Sequence, residues 1–445
     1  MVIAISLFLL AAVCIAKEFT GDVLEIDVVP LVPYEPYALP RMRWTDLNRA
    51  LGMEASGKML KVDQVDTFLG KIGVPKEDQK AFEKLSQLEV NSLFGDDEYD
   101  KERDVLIAME MLDEGEIDAG IEMLEQVKAH VERTRGKKHP LYANAMADLG
   151  YAFMLKRDFA ASHKELLKAM ELDEEIQEEF GVYNLAASIN LMATSALRSG
   201  GGQFEALSAA YETAFNALHK IEHPARFKIL MNMANMYRNQ WLPLRAIQMF
   251  KLAKQYEKEQ RIVGDLQLGL GISYLMLGEA KQAHDILESV VGIYEEQGKT
   301  GAKNYVETVY QLATSEIQLH HFGRALRRLQ SLRKMHLIQS NPLAQALVMT
   351  SIGDCLLEMG YVDQSIGILE AAMALLQEHP ADPNNELKPY LPVIHIKLLH
   401  WTAKAWDIHD ANSTSTLNHH EIAYERSRMV FGENHPLTKM HHITS

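Results

Sequence analysis

The residues of this 445-residue chain that could do chemistry fall into small groups. Histidines pair at His419-His420 and His441-His442, and imidazoles are the commonest protein ligands of transition metals. No cysteine or carboxylate joins them at zinc-site spacing, so they are expected to be loop histidines and no metal is expected. Asp63 and Asp66 lack the regular carboxylate spacing and central glycine of a calcium loop. The run Asp96-Asp97-Glu98-Tyr99-Asp100 fails as well, with Lys101 in place of that loop's glycine and Ile107 in place of its bidentate glutamate. It reads instead as a solvated face or the start of a helical region. Cys14 and Cys355 are the two cysteines, and the apolar neighbours of Cys355 make it a buried small hydrophobe rather than a reactive thiol. No phosphate-binding glycine loop, nucleophile elbow or isolated carboxylate pair stands out. Catalytic residues and cofactors are therefore expected to be absent, and the remaining chemistry is that of a binding surface.

The elements that would position such a surface repeat along the chain. Ala108, Gly150, Ala193, Ala234, Gly271, Ala313 and Gly353 are small residues on apolar helical stripes, separated by 37 to 43 residues, with Ala403 a weaker eighth. Twelve residues after most of them stands a second small residue: Gly120, Ser162, Ala246, Ala283, Ala325 and Ser365. In the third repeat Gly200-Gly201-Gly202 lengthens the turn and shifts the partner to Ala206. Four residues further comes a bulky apolar residue: Leu124, Leu166, Phe250, Leu287, Leu329 and Leu369. Two helices that cross closely need small side chains at the contact and larger ones beside it. Gly278 and Gly360 mark turns, and His-Pro at 139–140, 223–224, 379–380 and 435–436, with Asn341-Pro342, fits helix starts, where proline's missing N–H costs nothing. A period near 41 means a helical-hairpin array rather than several globular domains.

This pattern resembles the tetratricopeptide repeat, most clearly in Gly271, Tyr274, Ala283 and Leu287 and in Ala234, Tyr237, Ala246, Phe250 and Ala253. Coverage is residues 102 to 440, about three quarters of the chain. The long period, and Gly136-Lys137-Lys138-His139-Pro140 echoed by Gly432-Glu433-Asn434-His435-Pro436, resemble the kinesin-light-chain subclass. Glu316 departs from the pattern at an aromatic position, and the eighth repeat carries a polar insertion. The resemblance implies an all-α, right-handed solenoid of about seven or eight hairpins. It also implies a groove lined by each repeat's first helix. Projected onto that groove are Asn144, Asp148 and Tyr151, then Asn190, Thr194 and Arg198. Lys228, Asn232, Asn235 and Arg238 follow, and then Gln311 and Thr314. Asparagines there would pair with an extended peptide backbone, and Arg or Lys would hold a carboxylate. The clamp by which related repeats grip chaperone tails is not assembled, because Met231, Asp265 and Gly269 occupy positions that need basic or amide side chains. Arg324, Arg327, Arg328, Arg333 and Lys334 form a basic strip, expected on a solvated face or paired with acidic runs such as Asp173-Glu174-Glu175.

Before the repeats lie three segments. Residues 1–16 carry the apolar run VIAISLFLLAAVCIA, too short for a comfortable membrane span and fitting a signal peptide cleaved after Ala16. The expected location is the secretory lumen or the cell exterior, with the cytoplasm the alternative if the start is misassigned. Asn412-Ser413-Thr414 supplies one glycosylation acceptor, Asn412. Residues 17–43 are extended, with Pro30, Pro33, Pro36 and Pro40 favouring a polyproline strand that lies over the repeats or occupies a groove, the chain's own or a partner's. Residues 44–101 read as a helical lead-in. The net charge of −16 disfavours nucleic acid. The expected function is a non-enzymatic scaffold binding a protein or peptide. The alternatives are the substrate-binding subunit of a lumenal enzyme complex and a cytosolic kinesin-light-chain-like adaptor. The register has a direct test: Ala246→Arg buries an unpaired charge and should cost several kcal/mol. An unchanged melting temperature would show that Ala246 does not sit at a helix contact.

Overall fold

The computed structural model describes residues 28–32, 36, 39, 96–175, 179–198, 204–220, 223, 225–256, 263–379, 385, 387–410, 414–433 and 435–442. The apolar run of residues 2–16, most of the lead-in and Asn412 lie outside them. All regular structure among the described residues is helical. The chain divides into two compact units, residues 1–14 with 37–230 and residues 15–36 with 231–445.

In the first unit, α1 (Asp96–Asp113) pairs with α2 (Ile117–Thr134), α3 (Pro140–Leu155) with α4 (Phe159–Glu175), and α5 (Glu179–Arg198) with α6 (Phe204–Lys220). The acidic run that resembled a calcium loop is the opening turn of α1. The unit boundary falls inside α7 (Arg226–Asn239). In the second unit α7 is followed by α8 (Pro243–Tyr256). The hairpins α9 (Val263–Met276) with α10 (Ala280–Glu296) and α11 (Lys303–Gln318) with α12 (Phe322–Leu332) come next. After the short α13 (His336–Gln339) come α14 (Pro342–Glu358) with α15 (Val362–Glu378), then α16 (Leu391–Asp410) with α17 (Thr414–Phe431), and finally α18 (Pro436–His441).

Each hairpin closes on the expected small-against-large contact. A β-carbon on Gly150 would fall 2.5 Å from Leu166 Cγ, one on Gly271 2.7 Å from Leu287 Cγ, and one on Gly353 2.6 Å from Leu369 Cγ. The residue twelve positions on adds a bond where it is serine: Ser162 Oγ donates to the Gly150 carbonyl, and Ser365 Oγ to that of Gly353, both at 2.7 Å. Ala108, Ala234 and Ala313 are fully buried at the equivalent positions.

Seven residues after the small residue the backbone turns left-handed, at Gly115, Gly278 and Gly360, and equally at Arg157 (φ 65°), Trp241 (58°) and His320 (59°). The next N–H then reaches back five residues to the helix, as Asp158 N to Phe153 O (2.9 Å), Leu242 N to Tyr237 O (2.9 Å) and His321 N to Glu316 O (2.7 Å). This bond satisfies a carbonyl that the helix end leaves open. Helix starts are capped by the residues before proline: His139 Nδ1 accepts from Leu141 N (3.3 Å), His223 Nδ1 from Ala225 N (3.1 Å), and Asn341 Oδ1 from Leu343 N (3.1 Å). His379 departs from this rule and ends α15 instead of opening a helix.

Glu316, the departure from the aromatic position, is wholly buried. It is held by Arg328, whose Nε lies 3.0 and 3.1 Å from its two oxygens. Arg328 is thus drawn out of the basic strip, while Arg324, Arg327, Arg333 and Lys334 are exposed. Asp173 is likewise no solvated residue: it is buried and accepts from Ser188 Oγ at 3.3 Å.

Two glycine substitutions separate packing from backbone freedom. Gly271→Ala should cost about 1–3 kcal/mol by overpacking against Leu287. Gly292→Ala, in α10 with open space around its α-carbon, should gain about 0.5–1 kcal/mol. Urea unfolding of the two variants measures both signs.

Candidate functional site

The second unit holds an extended strand of its own chain against its helices. Val28, Val29 and Leu31 are almost completely buried and belong to the same apolar core as Trp241, Ile272, Val309 and Leu343. The strand's polar groups are met by α11. Glu307 and Gln311 lie four residues apart, one turn on a helix and so on one face, and Gln311 Nε2 donates to Glu307 Oε1 at 2.9 Å. Glu307 Oε2 accepts from the backbone N–H of both Leu31 (2.8 Å) and Val32 (2.6 Å). Gln311 Nε2 donates to the Val29 carbonyl at 3.3 Å. Pro30, between these residues, has no N–H to leave unpaired in an apolar groove. Each polar backbone atom paired here would cost roughly 1–3 kcal/mol if buried alone.

The groove is open at both ends of the strand. A cavity of about 180 Å3 lies beside Val28–Pro30, walled by Arg238, Trp241, Ile272, Met276 and Tyr390. A larger one of about 320 Å3 lies beside Leu31 and Val32, walled by Leu337, Ile338, Asn341 and Leu387. Burial pushes the Glu307 carboxyl up to about 7, against the pull of Gln311, the two backbone N–H groups and the Arg238 guanidinium. Burial also raises Tyr390, where Arg238 acts against it and Glu307 adds to it. The site therefore favours the neutral acid.

Most of the sequence-named groove residues are buried: Asn144, Asp148, Asn190, Thr194, Asn232, Asn235, Gln311 and Thr314. Tyr151, Lys228 and Arg238 are partly exposed, and the Arg198 side chain lies outside the described residues. Several spend a hydrogen bond on their own helix: Thr194 Oγ1 donates to Asn190 O (2.9 Å), Asn235 Nδ2 to Met231 O (2.8 Å), and Thr314 Oγ1 to Tyr310 O (3.2 Å). Gln311 is the member of the set seen bonded to the strand. Sequence reasoning missed Glu307, although it stands one turn before Gln311 on the face already projected. Gly269, where a chaperone-tail clamp needs asparagine, has another reason to be small: a β-carbon there would collide with the Phe250 ring.

The histidines are not loop residues. His420 lies on α17 and His441 on α18, and with His400 of α16 they form a chain of hydrogen bonds. His400 Nδ1 to His441 Nε2 is 3.1 Å, His441 Nδ1 to His420 Nδ1 is 3.0 Å, and His420 Nε2 to Asp407 Oδ2 is 2.8 Å. Burial, with the neighbouring imidazoles, holds His400 down to about 3 and His441 to about 4. The two are thus neutral struts that join the last three helices. Among the described residues no group of three His, Cys, Asp or Glu is arranged to hold a metal ion, and no helix is long and apolar enough to cross a membrane. Cys355 is buried, and burial pushes its thiol upward.

No family model matches the chain, and no curated protein matches it. Among solved structures it is similar to the apo form of the quorum sensor NprR from B. thuringiensis. The TM-score is 0.53 at 15% identity, over 82% of this chain and 97% of that one. It is similar also to the apo form of RapI, with a TM-score of 0.53 at 7% identity, over 77% of this chain and 95% of that one. A third is a tetratricopeptide repeat protein from Parabacteroides merdae, with a TM-score of 0.47 at 16% identity, over 67% and 98% of the two chains. At such identities the likeness is one of fold: the chain is an all-α array of tetratricopeptide-like hairpins.

The raised carboxyl sets a pH dependence for the docked strand. Glu307 binds its proton up to about pH 7 when covered, but only to about 4.5 when solvated. Docking is therefore strongest below the lower value and weakens as pH rises through the window to the upper one. Amide-exchange protection of Leu31 and Val32, corrected for intrinsic rates, should fall across that window. Glu307→Gln should flatten the profile, and an unchanged slope in that variant would remove Glu307 as its origin.

Proposed function

We propose that the chain is a non-enzymatic interaction scaffold whose second unit binds an extended, apolar peptide along α11. The observation that carries this reading is the strand of residues 28–32 in the groove. It is held through backbone N–H and C=O groups and buried at Val28, Val29 and Leu31. Recognition through the backbone gives affinity for any extended chain, and the flanking apolar walls select the side chains, as in other modes of peptide capture. A partner would present two consecutive N–H groups to Glu307, with a proline or another unpaired position just before them. Arg238, beside Glu307, and Thr314, one turn beyond Gln311, extend the same face. The set Asn144, Asp148, Tyr151, Asn190, Thr194, Arg198, Lys228, Asn232 and Asn235 belongs to the proposal as further lining of first helices, with no ligand contact assigned. NprR is a quorum sensor. The likeness to it supports the scaffold architecture, and the peptide reading rests on this chain's own groove.

The chain's own strand competes with any incoming peptide, and a tether of this kind acts as a local concentration in the millimolar range. In the full chain, Val29→Asp should eject the strand, because a carboxylate there would be buried beside Glu307 in an apolar core. A labelled peptide spanning residues 24–36 should then bind this variant at least about tenfold more tightly than the wild type. Adding Glu307→Ala should abolish the gain. Equal anisotropy titrations for wild type and Val29→Asp would reject the groove.

A further inference from the structure

Beyond the strand, α11 continues for two turns that the docked segment does not cover. There Gln318 of α11, Trp401 of α16 and Lys397 of α16 line a cavity of about 210 Å3. Thr314, Phe322 and Glu358 complete the part of its wall that matters here. The first helices of three successive hairpins thus converge on one small space. Its polar lining is incomplete. Both Oε1 and Nε2 of Gln318 are buried without a hydrogen-bond partner, and so is the indole Nε1 of Trp401. The Trp401 ring is fixed from outside by Lys404, whose Nζ stands 4.5 Å over the ring and 2.7 Å from Glu358 Oε1. Buried polar groups in folded proteins are paired in nearly every case. Three unpaired atoms on one cavity mark a place where a missing group belongs.

Their chemistry defines that group. Gln318 offers one acceptor and one donor a short distance apart, and Trp401 adds a donor. A carboxylate would satisfy the donors but face the Gln318 oxygen with no proton to give. An alkyl group would satisfy none. A primary carboxamide satisfies all three, pairing head to tail with Gln318 and accepting from Trp401. The space exceeds that of a few waters at about 30 Å3 each and admits a whole side chain.

We infer that this cavity is a carboxamide-binding subsite, filled by an asparagine or glutamine side chain of the bound peptide. The assignment rests on the peptide reading of the groove for the source of the carboxamide, though not for its chemistry. The strand sets the direction: Leu31 and Val32 meet Glu307, and Val29 meets Gln311 one turn later. Read backwards along the peptide, the groove leads on to Thr314 and Gln318. The amide side chain would therefore lie N-terminal to the apolar core of the ligand.

Two arms test it on the full chain. In the first, butyramide, butyrate and 2-pentanone are titrated while the Trp401 indole N–H is followed by NMR. Butyramide alone should shift that signal, and Gln318→Leu or the size-conserving Gln318→Glu should weaken its effect at least about tenfold. No shift, or equal shifts from all three probes, would overturn the subsite and leave a merely water-filled cavity. In the second arm, Val29→Asp protein is given the 24–36 peptide extended at its amino end by a glutamine or by a norleucine. The glutamine form should bind more tightly, by a margin that Gln318→Leu removes. Equal binding would deny the peptide as the source. Failure of both peptides, with butyramide still bound, would fault the groove reading and leave the carboxamide site standing as a small-molecule site.

Discussion

Everything in this fold hangs on the close crossing within each hairpin. Gly150, Gly271 and Gly353 have no room for a β-carbon because Leu166, Leu287 and Leu369 stand in that space. A contact so short fixes the angle and height of the two helices, and with them the face that each first helix presents. Glu307, Gln311, Thr314 and Gln318 line up along α11 because Ala313, between them, is locked against its own second helix. The binding surface is a by-product of a packing constraint one helix-width away.

The hairpins themselves were legible in the sequence, since the crossing is local and its partners lie at constant offsets. Even the serines that donate to the facing carbonyl occupy the position that spacing assigns to a small residue. Legibility failed where the determinant is not local. Arg157, Trp241 and His320 adopt a backbone region costly for side-chain-bearing residues, and their types give no hint of it. Only the ring of contacts around each turn imposes it. The proline-rich stretch could be read as extended, but its seat on Glu307 joins residues 275 and 276 apart in the chain. No period links such positions. The histidines show the same limit: their pairings bring together three helices, and spacing along the chain says nothing of that.

Charge also behaves differently from its count. The chain is strongly acidic, yet the carboxylates that matter most are buried: Glu307 under a strand and Glu316 against Arg328. The first is held near neutrality by desolvation, and the second is held charged by a cation on the next helix. Surface charge governs which partners approach, while these two acids govern internal geometry.

The turns carry one more consequence. Within the hairpins the spacing from small residue to small residue is twelve in six repeats, and the left-handed turn at the seventh residue recurs with it. Between hairpins the steps range from 37 to 43. Length variation is thus confined to the joints, and the clasps stay invariant. A lineage of such proteins can add or remove residues at a joint without reworking a single core contact. Its register against a ligand would then evolve by sliding whole modules, as a ruler is changed by moving its marks and not by bending it.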